Sequence, residues 1–231
     1  MSKLAGLVCL GAMAALSAPR ALKPQGIQVV GASRWNMGSV EQSQALKLKG
    51  DPARGAEDYQ TCLGCHQRDG AGQPDGVFPR LAGQHPQVVI KQLADIRLGR
   101  RDVPIMYPFA ATVGGPQDLA DLAAYVSALK PSEPNGRGPG KDLEQAHILF
   151  LRDCAQCHGV NGEGRAAQFF PRLEGQHYRY LLRQAVDIKT GARRNANPEM
   201  TRILRNYRKE DLQLVSDYAS RLEPPPVEAR R

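Results

Sequence analysis

Large side chains are scarce in this chain. Aromatics make up 6% of its 231 residues, with a single tryptophan, while glycine contributes 23 and proline 17. So few bulky residues build only a modest core, and a fold of this length needs small domains or interior material from elsewhere. No stretch alternates apolar and polar residues convincingly, which leaves sheet architectures without support. Long apolar runs are missing too: Leu4 to Leu16 is too short for a comfortable transmembrane helix. The formal net charge is +8, yet no nucleic-acid recognition motif accompanies it, so nucleic acid is not expected as a partner. Cysteine is used sparingly. Of five, Cys9 lies in the apolar run and the other four fall in two short segments.

Those segments, Cys62-Leu63-Gly64-Cys65-His66 and Cys154-Ala155-Gln156-Cys157-His158, stand 92 positions apart. Two thiols at this spacing can add across the vinyl groups of one porphyrin, and the adjacent imidazole lies under the iron as proximal ligand. A bare C-x-x-C also serves redox dithiols and zinc ribbons. The doubled motif ending in histidine points instead to two covalently attached haem c groups, with zinc or disulfides as the alternative. A buried, apolar haem would supply the interior that each half lacks. Lys3, the Leu4–Leu16 run and the small residues Ala15 and Ser17 have the layout of a secretory signal peptide over 1–17, cleaved near Ser17. Val8 fits a lipoprotein site at Cys9 poorly. The mature chain then has no spare thiol and no transmembrane segment, which suits a periplasm and leaves peripheral membrane association open.

Repetition extends well past the motifs. Phe78-Pro79-Arg80-Leu81 matches Phe170-Pro171-Arg172-Leu173, and Gly83-Gln84-His85 matches Gly175-Gln176-His177. Asp95-Ile96 and Asp187-Ile188 keep the offset, which then drifts to pair Met106 with Met200. The pattern predicts two all-α domains, 51–130 and 141–231, joined by a Pro/Gly-rich linker over 131–140. Residues 18–50 read as an extended or disordered lead-in. Asp51-Pro52 marks a helix start, Gln87 to Leu98 and Tyr178 to Thr190 are second helices, and Asp118–Leu129 and Glu210–Leu222 are third helices.

Each repeat has one methionine after its motif, Met106 and Met200, both expected in irregular loops and both candidates for the second axial ligand. A methionine can also be gap-filling core. His85 and His177 compete as ligands, although each stands just before a helix, where a polar cap or surface role is ordinary. His147 has no counterpart and reads as an exposed helix residue.

These residues resemble the dihaem cytochrome c4 family, over about residues 51–222. The resemblance implies two class I cytochrome c domains packed face to face, haem propionates near their interface, and electron shuttling in the periplasm, often to a terminal oxidase. It also implies that Pro79 and Pro171 offer carbonyls to His66 and His158, and that Arg80 and Arg172 contact propionates. Glu199 in the second methionine segment stands where the first has Ile105, so the two centres should differ. Arg193, Arg194, Arg202, Arg205, Arg208 and Lys209 cluster near Met200, as a solvated face or a surface that steers an acidic redox partner. The leading expectation is an electron carrier rather than an enzyme, with covalent Cys62, Cys65, Cys154 and Cys157 and axial His66, Met106, His158 and Met200. The alternative is the electron-accepting haem subunit of a sulfide or thiosulfate dehydrogenase. A peroxidase needs a vacant distal position, which two methionines argue against.

Overall fold

Helix punctuation accounts for most of the architecture. In the computed structural model, which describes Trp35, residues 38–131 and residues 134–223, Asp51 accepts a hydrogen bond from the Ala53 N–H at 2.8 Å. Pro52 fills the first turn of α2 (Pro52–Asp58) behind it. One 3-10 turn then leads into α3 (Leu63–His66), which carries the first motif. Helix α4 (Pro86–Arg97), short α5 (Tyr107–Thr112) and α6 (Pro116–Ala128) complete the first half. The second half repeats the plan with α7 (Leu143–Asp153), α8 (Ala155–His158), α9 (Tyr178–Thr190), α10 (Pro198–Arg205) and α11 (Lys209–Arg221). The fold is all-α. Among the described residues the only β pairing is an isolated bridge between Arg165 and Phe170.

Each half has its own apolar core. Tyr59, Ile90, Leu119, Leu122 and Val126 bury together in the first. In the second, Ile188, Leu204, Leu212 and Val215 form one cluster, and Phe150, Ala155 and Ala219 another. The stripe of α6 that faces the core is the one the helical period predicts.

Two expectations need correction. The lead-in is not wholly extended: α1 (Val40–Ala45) is a helix capped by the Ser39 hydroxyl, which accepts from the Gln42 N–H. Ala45 is buried in the first core, and Glu41 pairs with Arg97 of α4. Six residues carry too little periodicity to reveal such a helix, which tertiary burial holds in place. The signal segment, Met37 and most of the lead-in lie outside the described residues. The methionine segments are helical rather than irregular: Met106 ends a 3-10 turn from Pro104, and Met200 lies inside α10. The segment between the halves is laced down, because Asn135 donates to the Gln176 and Ser220 carbonyls and Gly140 donates to Asp217.

The described residues form one unit, and its two halves are joined by matching contacts. The Gln176 amide accepts from the Arg80 N–H at 2.9 Å and donates to the Arg80 carbonyl at 2.8 Å. Gln84 treats Arg172 the same way, at 3.0 and 3.2 Å. His85 Nε2 lies 2.8 Å from the Glu163 carbonyl, and His177 Nε2 lies 2.8 Å from the equivalent Ala71 carbonyl. His177 is 1% exposed, so its role is structural and internal rather than a surface cap.

Candidate redox centres

The motif histidines are oriented before anything binds them. His66 Nδ1 lies 2.9 Å from the Pro79 carbonyl and His158 Nδ1 lies 3.0 Å from the Pro171 carbonyl. An accepting carbonyl fixes the proton on Nδ1 and leaves the Nε2 lone pair for a metal. Phe78 and Phe170 stand about one ring away, with centroids 6.3 and 6.2 Å from the two imidazoles. Glycine makes this geometry possible. Gly72 donates to the His66 carbonyl and Gly164 to the His158 carbonyl, each at a φ of +71°. A Cβ on Gly72 would stand 2.5 Å from the Pro79 carbonyl carbon and oxygen, so only glycine lets the proline strand come this close.

Burial pulls both imidazoles below their ordinary value, which keeps them neutral and able to ligate. His66 Nε2 is buried and has no hydrogen-bond partner, an expensive arrangement for a neutral ring unless something coordinates it. Burial also raises the Cys62 thiol and pushes the Cys154 thiol up to about 12. None of the four motif cysteines is in a disulfide.

Both histidines face one continuous cavity of about 490 Å³ that runs through the two halves. Cys62, Cys154, Cys157, Met106 and Met200 are on its wall, which is otherwise largely aliphatic and aromatic. Apolar walls, thiols beside a buried imidazole and an orphaned Nε2 are what a covalently held, iron-centred planar group needs. The family model for cytochrome c matches residues 52–130 and again 143–219. The chain belongs to the cytochrome c family, in its dihaem cytochrome c4 branch. It is 34% identical to cytochrome c4 of Pseudomonas aeruginosa, over 73% of this chain and 87% of that one. It is also 34% identical to the thiosulfate dehydrogenase electron acceptor of Stutzerimonas stutzeri, over 68% of this chain and 76% of that one. The solved structure of reduced cytochrome c4 from Pseudomonas stutzeri superposes with a TM-score of 0.67 at 29% identity, covering 75% of this chain and all of that one. Like other members of the cytochrome c4 branch, the chain carries two covalent haem c groups and works as an electron carrier.

Around that core the remaining predicted residues separate. Arg80 and Arg172 line the cavity, with the Arg172 guanidinium 3.0 Å from Glu174. His85 and His177 are spent on contacts between the halves. His147 is exposed and stacks on Tyr218. The basic group near Met200 divides: Arg202 and Arg208 pair with Glu199 and Asp211 on the surface, while Arg193 turns inward to the cavity. A set of residues that sequence reasoning missed stands beside Arg193. Gln92, Arg101, Tyr180 and Gln184 line the cavity between the halves. Arg101 and Arg193 are themselves 92 positions apart, as are Gln92 and Gln184, so extending the repeat comparison by a few residues would have found all of these but Tyr180.

Proposed function

We propose that this chain is an exported, periplasmic carrier of single electrons whose two centres are each closed by histidine and methionine: His66 with Met106, and His158 with Met200. The observation that carries the reading is that each motif histidine, already hydrogen-bonded at Nδ1, shares its cavity wall with the one methionine of its own repeat. Haem iron bound there supplies reversible ferric–ferrous chemistry, and methionine ligation in an apolar site favours the ferrous form. The protein's own part is to hold still. Pro79 and Pro171 fix the ring orientation, Gly72 and Gly164 let those prolines approach, and α10 and the Pro104 turn set the methionines. Arg80 and Arg172 line the cavity wall, where the resemblance expects contacts to haem propionates. Electron transfer of this kind requires no residue to move a proton to or from a substrate, and it suits a carrier that docks transiently on other redox proteins, a terminal oxidase being one expected acceptor. No helix among the described residues is long and apolar enough to cross a membrane.

A second reading has its own support: the chain is similar to a thiosulfate dehydrogenase electron acceptor, and on that reading it takes electrons from a dehydrogenase. The ferric optical spectrum tests the ligand assignment. A methionine–iron charge-transfer band should be present in the purified protein, weakened in Met106→Ala and in Met200→Ala, and absent from the double variant. A high-spin spectrum from either centre of the unaltered protein would overturn the closed-site reading. Co-purification from the native host separates a free carrier from a dehydrogenase subunit.

A further inference from the structure

Where the two halves meet, two arginines cross. Arg101 donates to the Gln92 side-chain carbonyl of its own half at 3.0 Å and to Gln184 of the other half at 3.2 Å. Arg193 mirrors it, donating to Gln184 at 2.9 Å and to Gln92 at 3.2 Å. Two guanidiniums thus share two amide oxygens. Among the described residues neither has a carboxylate in salt-bridge range: Asp95 is engaged by Lys91 at 2.5 Å, Asp102 by Arg194 at 3.5 Å, and Asp187 accepts from the Gln184 amide at 3.3 Å. Burial and, after it, the facing Arg101 push the Arg193 guanidinium down to about 10, although Tyr180, Asp95 and Asp187 pull the other way. Like charges held together beside a low-dielectric cavity call for an anion in that cavity.

The cross departs from symmetry at two points: Arg193 alone also donates to Asn195, at 3.1 Å, where the first repeat has Val103, and a hydroxyl reaches the pair from one half only. Tyr180 places its hydroxyl 2.8 Å from the Arg101 guanidinium and accepts from it, so its own proton is left for a third partner. Burial alone would raise this phenol, but Arg101 and Arg193 bring it below its ordinary value, which strengthens the hydroxyl as a donor. The position 92 residues earlier is Val88, which is buried and has no polar atom in its side chain. The second half therefore brings a hydroxyl to the junction that the first half lacks.

We propose that Arg101, Arg193 and Tyr180 together form a carboxylate-binding junction that raises both reduction potentials, and that Tyr180 is the residue that makes the two potentials unequal. The proposal rests on the two-centre reading above. An added electron makes a centre more negative, so fixed positive charge and O–H donors on the shared wall stabilise the reduced state. The guanidiniums act on both centres through the amides they share, while the tyrosine acts on one.

Spectroelectrochemical titration of the purified dihaem protein tests it. In Tyr180→Phe one midpoint should fall, by about threefold in its one-electron equilibrium constant, or about 30 mV at 59 mV per tenfold. The other should stay, and so should the methionine–iron band and two haems per chain. In Arg101→Gln, which keeps an amide for Gln92 and removes the charge, both midpoints should fall together. Potentials unmoved in Arg101→Gln, or moved equally in Tyr180→Phe, would overturn the proposal. Loss of the methionine band in the unaltered protein would instead overturn the ligand reading, so the two failures are distinguishable.

Discussion

His177 has no ring nitrogen to spare. Nδ1 accepts from the Gly136 N–H at 3.0 Å, so the proton sits on Nε2 and goes to the Ala71 carbonyl. A second proton would break one of these bonds, and burial holds the imidazole below its ordinary value of 6.5. The folded state then binds fewer protons than the unfolded chain, so this contribution to stability is complete above about pH 6.5 and is lost as the pH falls. His85, lowered mainly by burial in the same way, adds to the trend. Denaturant titrations should find stability declining from about pH 7 to 5, with a flatter decline in His177→Gln. Replacing His177 with alanine at neutral pH should cost about 2 kcal/mol, for two buried hydrogen bonds. The motif residues are legible in the sequence because thiol attachment and iron ligation demand rare residue types at fixed spacing. His85 and His177 are not, because their partners are backbone carbonyls in the opposite half, which no local pattern encodes.

The loop from α3 to the proline strand decides how firmly each ligand is held. Gly72 and Gly164 combine a left-handed backbone with the close approach of Pro79 and Pro171. Alanine at Gly72 meets both obstacles, strain at positive φ and a clash with the carbonyl that supports His66. Gly72→Ala should therefore destabilise the protein by about 1–3 kcal/mol and lower the first potential, with the second centre unchanged. Thermal melts and redox titration of the variant check both parts, and Gly164→Ala should do the converse. At this scale the longer helices are readable: α9 runs from Tyr178 to Thr190 and closes at Gly191, as its apolar spacing and stop residue predict. The short ones are not. Asn197-Pro198 is a helix-start signature, with the Asn197 side chain accepting from the Glu199 N–H, but the eight-residue α10 it opens has a strongly polar exterior around Met200. Its apolar side shows only once Leu204 and Ile203 are seen packing into the second core.

The halves are held together by polar contacts that come in matched pairs. Gln84 and Gln176 each grip the backbone of an arginine in the opposite half through two hydrogen bonds. A Gln84→Ala/Gln176→Ala protein forfeits four bonds, about 0.5–1.5 kcal/mol each. Calorimetry should then find one unfolding transition in the parent and two in this variant, one for each half. Were the doubly substituted protein to melt in one step at an unchanged temperature, the glutamines would not be what couples the halves. The duplication itself is legible from the motifs, the paired Phe-Pro-Arg-Leu and Gly-Gln-His segments and the methionines. What those paired segments do is not, since a repeat announces that two units are alike and says nothing of whether they touch. The Arg101–Arg193 cross illustrates this: in the sequence Arg193 looks like one member of a basic surface, and only the packed halves turn it inward.

The grip of Gln176 on Arg80 has a further consequence. Arg80 directly follows Pro79, so the second half clamps the peptide next to the carbonyl that aims His66. Gln84 does the same for Pro171 and His158. Neither half finishes the setting of its own imidazole; each serves as the jig in which the other's ring is held. A descendant of this chain reduced to one repeat would keep every residue of the attachment motif and still lose the outside hand that steadies it.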